Sequence, residues 1–254
     1  MTNFTVDIIS DPVCPWCHIG RKRLEKAIAL YRKVYPNGRH DTFTINWKPF
    51  YLDPSAPVPG IPWDERSAQR IAERRVAASA ASTFTTSTDS TSTPTAEDRT
   101  KSAALKARLQ ALGQQEGVRF SFQGLIGSTR TAHRALLYAQ IHQSPNSPNL
   151  QDIFSRALLT TFFESPTPFD ITSANDLSAL LASSTGLDPT AALSWLESDE
   201  GAAEVDAEVA GYVASGIKGV PVFSVGGCIV DGAQSEGDFL EAFVKVKEEE
   251  QEGK

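Results

Sequence analysis

The segment DPVCPWCHIG contains the side chains with the clearest capacity for covalent chemistry in this chain. Cys14 and Cys17 are separated by Pro15 and Trp16, and His18 follows directly. The C-x-x-C spacing is typical of a redox dithiol, and C-x-x-C-H is typical of covalent c-type haem attachment. The two thiols and the imidazole are also ordinary metal ligands. The residue types alone leave all three interpretations open.

The remaining composition of the chain argues against haem and zinc. The single methionine is Met1, so no other methionine is available as a second axial haem ligand. A closed zinc site takes four Cys or His ligands. Outside the motif the chain offers few such residues, and they lack zinc-finger spacing: Cys228, His40, His133 and His142. We therefore predict no metal site and no tightly bound cofactor. A redox-active dithiol is the favoured interpretation, and a buried structural cysteine pair is the alternative.

The elements around the motif predict how its cysteines are positioned. Residues 4–10 resemble a buried strand, residues 17–35 an amphipathic helix, and residues 42–50 a second strand. A strand, a helix and a strand in this order predict a βαβ unit with parallel strands. Cys14 would then precede the helix, where free N–H groups and the helix dipole stabilise a thiolate, and Cys17 would lie one turn inside. We predict Cys14 as the nucleophile and Cys17 as the resolving cysteine.

The other end of the chain supplies elements that complete a fold. PVFSV and CIVDG are two short apolar segments joined by Gly226-Gly227, which is a typical hairpin turn. Residues 235–250 predict a closing amphipathic helix. Together, the two chain ends predict an α/β thioredoxin-like fold built from residues 1–54 and 212–254. Residues 55–211 predict a large α-helical insertion.

Most of the insertion has apolar residues at helical spacing. The predicted helices cover residues 129–143, 150–163, 173–185 and 201–214. We expect the insertion to form a helical cap over the active-site end of the core, and such a cap can form an apolar pocket beside Cys14. Residues 78–98 are instead rich in Ser, Thr and Ala. They predict a disordered loop between two further helices, because so little apolar surface cannot offset the entropy lost on ordering.

Composition also limits the partners and the compartment. The net charge is −7 with no run of basic residues, which excludes nucleic acid as the main partner. No apolar run is long enough to span a membrane, and the first residues lack the pattern of a signal peptide. We therefore expect a cytoplasmic protein, in which two nearby cysteines are more often catalytic than a structural disulfide.

Four motifs resemble one family over nearly the whole chain. They are DPVCPWCHIG, WKPF, STRTAHR (residues 128–134) and GVPVF followed by DGAQ. These motifs are similar to the FrnE-type branch of the DsbA family, within the superfamily of 2-hydroxychromene-2-carboxylate isomerase and kappa-class glutathione transferase. The resemblance implies a thiol–disulfide oxidoreductase with a cis Val220–Pro221 bond opposite the dithiol. It implies substrate contacts at these positions: Pro15, Trp16, Val220 and Pro221. Candidates for lining a pocket are His18, Arg130 and His133.

Two other functions remain open. The isomerases and kappa transferases have serine in place of Cys14, and they bind glutathione through charged residues near the position of Gly232-Ala233-Gln234. These differences favour redox chemistry over a glutathione-dependent isomerase or transferase that acts on an aromatic small molecule. A non-catalytic thioredoxin-fold binding protein is the third hypothesis. The expected partner is a protein or small molecule bearing a thiol or disulfide. The resemblance also leaves glutathione as a co-substrate and a homodimer open.

Overall fold

The computed structural model describes residues 1–81, 92–144 and 148–252, and its centre is a four-stranded sheet with strand order β2-β1-β5-β6. Strand β1 pairs in parallel with β2 and antiparallel with β5, and β5 pairs antiparallel with β6. The strands are β1 (Asn3–Ser10), β2 (Thr42–Pro49), β5 (Val222–Val225) and β6 (Cys228–Asp231). The first and last parts of the chain therefore meet in one sheet.

The helices connect strands of this sheet or follow the last of them in the chain. Helix α1 (Pro15–Val34) connects β1 to β2, and α9 (Glu236–Glu252) follows β6 and packs on α1. The other helices, between β2 and β5, are α2 (Trp63–Ala81), α3 (Ala96–Glu116), α4 (Arg130–Ile141), α5 (Leu150–Glu164), α6 (Ala174–Thr185), α7 (Pro189–Glu197) and α8 (Ala202–Ala214). Two short antiparallel strands also lie there: β3 (Ile61–Pro62) and β4 (Leu125–Ile126). This is a thioredoxin-like α/β fold with a large helical insertion, which confirms the predicted fold class.

The sequence explains the central unit and the hairpin. Buried residues alternate along the first half of β1, and its last residues, Ile8, Ile9 and Ser10, are all buried, as in a central strand with both faces covered. Gly226 and Gly227 both have positive φ, as the two-residue turn between β5 and β6 requires. The βαβ unit and the hairpin were both predicted, and both are present.

Capping side chains explain where two helices of the insertion begin. Asp188 accepts hydrogen bonds from the backbone N–H groups of Thr190 and Ala191, and so begins α7, which the periodicity did not predict. The side chains of Thr95 and Asp98 form a reciprocal capping box that begins α3 at Ala96. Helix α2 continues to Ala81 and α3 begins at Ala96, so the prediction of disorder is wrong for residues 78–81 and 96–98, which are helical. Residues 82–91 lie outside the described residues, so the predicted disorder of this segment stays a prediction.

A buried ion pair lies at the end of β1 that is remote from the cysteines. The Lys247 ammonium contacts both carboxylate oxygens of Asp41, at 2.8 and 2.7 Å. Asp41 also accepts hydrogen bonds from the Thr2 N–H (2.7 Å) and the Tyr31 hydroxyl (2.9 Å), and it is 2% exposed. Burial alone would raise the pKa of Asp41, but these donors hold it below its ordinary value. The pair ties the C-terminal helix α9 to the start of β2.

Helix α1 approaches β5 closely at Gly20. A Cβ atom at this position would lie 2.9 Å from Cζ of Phe223 and 3.3 Å from Cγ of Pro221. Phe223 is fully buried, so its ring has no open space into which to move. Glycine at this position therefore sets the distance between the helix that follows the cysteines and the strand that follows Pro221.

Replacing Gly20 with alanine should destabilise the protein by about 1–3 kcal/mol through overpacking against Phe223, despite the better helix propensity of alanine. The matched control is Gly211→Ala in α8, where nothing lies within 4 Å of the added Cβ. That substitution should raise stability by about 0.5–1 kcal/mol. Urea unfolding of the two variants tests both effects. Equal stabilisation by both substitutions would show that α1 does not need this close approach.

Candidate active site

Cys14 is the N-cap residue of α1, and Pro15 is the first residue of the helix. The backbone N–H of Cys14 donates to the carbonyl oxygen of Asp11 (2.9 Å), and the carbonyl oxygen of Cys14 accepts from the N–H of Cys17 (3.0 Å). Pro15 is suited to its place because its missing N–H would have had no partner within the helix. The structure therefore places Cys14 at the helix start, as predicted, and the helix begins two residues earlier than the prediction.

The loop after α8 faces the sulfur of Cys14. The Val220–Pro221 peptide bond is cis, as the family resemblance implied. The Sγ atom of Cys14 lies 3.5 Å from the carbonyl oxygen of Val220 and is in position to donate a weak hydrogen bond to it. Cys14 and Cys17 are both free thiols in the structure. A substrate sulfur bound to Cys14 would therefore lie against the backbone of this loop.

The two thiols differ in their surroundings. Cys17 is fully buried, and burial, together with the hydrogen bond and charge of the Cys14 sulfur, raises the pKa of Cys17. Hydrogen bonds from the side chain of Ser10 and the backbone of Asp11 oppose this effect only in part. Cys17 is therefore a protonated thiol at neutral pH. It becomes a good attacking group only after its proton is removed.

A cavity of about 250 Å³ opens beside Cys14. The thioredoxin core contributes Cys14, Pro15, Trp16 and Val220 to its wall. Most of the opposite wall comes from the insertion, through α2, α3 and β4, and includes Trp63, Arg70, Arg74, Leu105, Leu109 and Ile126. The insertion thus forms a pocket against the cysteine, as its predicted position required.

Three of the four proposed substrate contacts, Pro15, Trp16 and Val220, line this pocket. Pro221 is buried beside α1, where its ring approaches Gly20. Among the residues that the structure describes, His18, Arg130 and His133 are not part of the pocket wall. Each of these three side chains has a different environment.

His18 connects α1 to the end of α5. Its Nε2 atom lies 2.8 Å from a carboxylate oxygen of Glu164, and its ring stacks on Phe163. Its Nδ1 atom is buried with no hydrogen-bond partner among the described residues. Burial lowers the pKa of His18, and Glu164 opposes this effect only in part. A protonated ring would carry a second N–H at Nδ1, which would have no acceptor among the described residues. A neutral His18 that donates its Nε2–H to Glu164 satisfies this arrangement.

Arg130 and His133 contact other parts of the insertion and core. Arg130 pairs with Asp206 of α8 at 2.7 Å, and both side chains are about half exposed. The Nε2 atom of His133 lies 3.1 Å from the carbonyl oxygen of Phe50, and burial lowers the pKa of this imidazole to about 4. The contacts of both residues join α4 to its neighbours, and their predicted role in a pocket stays a prediction.

Asp11 is a site residue that the sequence analysis missed. Its carboxylate accepts hydrogen bonds from the backbone N–H groups of Leu52 (2.7 Å) and Val13 (3.3 Å), and it is 1% exposed. Burial raises the pKa of Asp11 to about 7, although these bonds and the charge of Arg70 act in the opposite direction. Asp11 thus joins the cysteine turn to Leu52 in the pocket wall. Its place three residues before Cys14 was the available signal, but burial is not visible in a sequence.

Because the pKa of Asp11 is raised in the folded state, its contribution to stability is fully present below its ordinary pKa of 3.8 and is lost as pH rises through about 7. The isosteric variant Asp11→Asn cannot take up this proton. Between about pH 5 and pH 8, the unfolding free energy of the wild type should fall by roughly 2 kcal/mol relative to the variant. Urea titrations across this range measure the difference.

The control for this measurement is Asp231→Asn, which removes an exposed carboxylate from β6. Its profile should run parallel to that of the wild type. His133 acts in the opposite sense, because its lowered pKa gives stability that is lost as pH falls from 6.5 towards 4. This effect is common to all the proteins compared, so it cancels. A parallel profile for Asp11→Asn would contradict the assignment.

Comparison with known families gives the affiliation of the chain. The family model described as a DSBA-like thioredoxin domain matches residues 5–244. The chain belongs to the DsbA-like thioredoxin family. The match includes the cysteine turn, the whole insertion and the loop at Val220, so all parts of the site lie within the family's domain. No curated protein matches the sequence. The narrower FrnE-type affiliation stays a prediction.

Solved structures with the same fold include oxidoreductases and an isomerase. A probable DsbA oxidoreductase from Streptomyces coelicolor is 24% identical, with 97% of this chain and 91% of that chain covered and a TM-score of 0.70. A 2-hydroxychromene-2-carboxylate isomerase is 15% identical, with coverage of 98% and 99% and a TM-score of 0.60. The cytosolic disulfide reductase DsbM from Pseudomonas aeruginosa, solved with glutathione, is 14% identical, with coverage of 96% and 98% and a TM-score of 0.54. At these identities the likeness establishes the fold.

The described residues contain no cluster of His, Cys, Asp or Glu side chains arranged to hold a metal ion. Over the same part of the DsbA-like chain, no helix has the length and apolar character needed to cross a bilayer.

Proposed function

We propose that this DsbA-like protein is a thiol–disulfide oxidoreductase in which Cys14 is the nucleophile and Cys17 the resolving cysteine. The observation that carries the proposal is the position of Cys14 at the start of α1, with its sulfur 3.5 Å from the Val220 carbonyl oxygen. The backbone of the Val220–Pro221 loop is available to align a substrate sulfur with Cys14. Cys17 is close enough to the Cys14 sulfur for a hydrogen bond between them.

The reaction in the reducing direction has two exchange steps. The Cys14 thiolate attacks one sulfur of a substrate disulfide, the substrate S–S bond breaks, and the other substrate sulfur leaves as a thiolate. Cys17 then gives up its proton and attacks Cys14, which breaks the mixed disulfide and releases the second substrate thiol. The protein loses two electrons and forms a Cys14–Cys17 disulfide, while the substrate disulfide becomes two thiols. The oxidising direction is the reverse.

The proposal also includes glutathione as the reductant and a reducing cytoplasm as the location. An oxidised Cys14–Cys17 pair needs a thiol reductant to return to the dithiol, and glutathione is a small thiol that suits this step. No tightly bound cofactor is needed, since the disulfide itself carries the electrons. The proposed substrate is a protein or small molecule that carries a disulfide or thiol.

A glutathione-dependent isomerase has less support at the loop before α9. Arg23 of α1 donates a hydrogen bond to the carbonyl oxygen of Ala233 (2.6 Å) and also pairs with Glu116 of α3. Gly232, Ala233 and Gln234 contribute no charged side chain to this loop. Among the described residues, Arg23 supplies the guanidinium that contacts this loop, and it is already bonded to other groups of the protein.

The test is catalytic turnover in two assays. The protein should catalyse reduction of a small disulfide by glutathione, many times per active site, and it should not isomerise an aromatic hydroxychromene carboxylate when glutathione is supplied. Titration of the dithiol in glutathione buffers then gives its reduction potential and so the favoured direction. Isomerisation without disulfide turnover would replace the proposal with the second hypothesis. Stoichiometric binding without turnover in either assay would favour a binding protein.

A further inference from the structure

The pocket beside Cys14 has the dimensions of a small-molecule site. Its volume of about 250 Å³ suits a ring-sized group and is too small for a folded protein surface to enter. The wall carries the indole rings of Trp16 and Trp63 and several aliphatic side chains, which include Leu105, Leu109 and Ile126. An apolar, flat group held by these side chains would lie directly beside the reacting sulfur.

The charges of the wall favour a negative group on the ligand. Arg66 neutralises Asp53, with contacts of 2.8 and 2.9 Å, and it also contacts Glu73 at 2.7 Å. Arg70 donates one hydrogen bond to the carbonyl oxygen of Leu52 (3.3 Å). Its nearest contact with the Asp53 carboxylate is longer, at 3.6 Å. Arg70 therefore has N–H donors to spare.

Arg74 lies one helical turn beyond Arg70 on α2, and both guanidinium groups line the pocket. Among the described residues, Arg74 has no ion-pair or hydrogen-bond partner. Three arginines at positions 66, 70 and 74 thus lie near two carboxylates at positions 53 and 73. The third nearby carboxyl, Asp11, has a pKa raised to about 7, so it cancels only part of the remaining positive charge at neutral pH. This positive charge is notable because the whole chain has a net charge of −7. Asp11 lies behind the wall, and its carboxylate is occupied by two backbone N–H groups.

We propose that this pocket selects small aromatic disulfides that carry a carboxylate, with the ring against the two tryptophans and the carboxylate at Arg70 and Arg74. This inference rests on the proposed dithiol function and names the substrate class of the same site. A planar guanidinium binds a carboxylate through two parallel hydrogen bonds, so the pair orients the substrate as well as attracting it. The disulfide sulfur then lies beside Cys14, against the backbone of the Val220–Pro221 loop.

The reduced protein can convert such a disulfide into two thiols without a further reagent. The reduced protein supplies both electrons: Cys14 attacks one sulfur, an aromatic thiolate leaves, and Cys17 resolves the mixed disulfide with loss of its proton. The products are two aromatic thiols and the oxidised protein. A single turnover of pre-reduced protein therefore measures reduction of the bound disulfide, with no contribution from the step that regenerates the dithiol.

The experiment compares bis(para-carboxyphenyl) disulfide with its neutral carboxamide analogue in stopped-flow single turnovers. Each rate constant is divided by the rate constant of the same reagent with a free small dithiol, which removes intrinsic reactivity. The normalised ratio of anionic to neutral rates should be well above one in the wild type. Arg74→Gln should lower it about threefold, and Arg74→Glu should lower it further, as expected for a partly exposed ion pair. Added salt should also lower the wild-type ratio.

The matched control is Arg108→Gln, which removes the same charge from an exposed position of α3 outside the pocket wall. Its ratio should equal that of the wild type. If Arg74→Gln and Arg108→Gln have the same small effect while the neutral reagent is reduced normally, the pocket assignment fails and the dithiol function stands. If neither reagent is reduced, the proposed function fails and this inference fails with it.

Discussion

Replacing Cys14 with serine should abolish thiol–disulfide turnover, whereas Cys17→Ser should still attack a disulfide and then stop as a stable mixed disulfide. The reason is the asymmetry of the site. Both thiols are buried, with Cys14 2% and Cys17 0% exposed, but Cys14 lies at the helix start and lines the pocket, whereas Cys17 does not line it and has a raised pKa. A hydroxyl at position 14 is a poor nucleophile toward sulfur, and a hydroxyl at position 17 cannot resolve the intermediate.

Mass spectrometry of both variants after reaction with a small disulfide tests this prediction. Cys17→Ser should gain the mass of one substrate half on Cys14, and Cys14→Ser should remain unmodified at Cys17 over the same time. Cys228 serves as the internal control, because it lies outside the site and is present in every variant. Rapid mixed-disulfide formation at Cys17 would reverse the assignment of the two cysteines.

Replacing Lys247 with methionine should destabilise the fold by about 3 kcal/mol or more, because the Asp41 carboxylate would be left buried without its cation. The hydrogen bonds from Thr2 and Tyr31 would remain, and they reduce the cost without removing it. Asp41 would then be more easily protonated, so the deficit should shrink as pH falls. Urea unfolding of the wild type and Lys247→Met over a range of pH measures both effects.

Two further variants make this result specific. The double variant Asp41→Asn with Lys247→Met removes both charges and should recover part of the lost stability. The exposed pair of Lys101 and Glu97 is the matched control, since its side chains are 55% and 75% exposed. Lys101→Met should leave the unfolding free energy nearly unchanged, because the exposed pair is screened by solvent. A similar cost at both lysines would mean that burial of the Asp41 pair contributes nothing.

The parts of the fold that local pattern determines were predictable. Alternation in β1, the apolar stripe of α1 and the Gly226-Gly227 turn each depend on neighbours in sequence, and they gave the βαβ unit and the hairpin correctly. Cys14 could be placed at the helix start for the same reason. The cis Val220–Pro221 bond came only from family resemblance, because most X–Pro bonds are trans and the local sequence does not distinguish them.

The parts of the site that depend on tertiary contacts were not predictable. Arg70 and Arg74 have the spacing of any solvated helix face, and only the packing of α2 against the core brings them beside Cys14. Asp11 resembles an ordinary turn residue until the insertion buries it beneath Leu52. The contact of the His133 ring with the backbone of Phe50 could not be predicted from its motif either. Each of these environments is made by residues distant in the chain.

The pairing of β1 with β5 has a consequence for the protein during its synthesis. Val6 pairs with Val225, so the strand that leads into the dithiol gains this neighbour only when the last fifth of the chain exists. At a translation rate of ~5–20 residues per second, the cysteines leave the ribosome roughly 10–40 seconds before that strand. For that time neither thiol has the shielding of the finished fold. Their survival as thiols then depends on the redox state of the surroundings, before the protein has any means of its own to discriminate between partners.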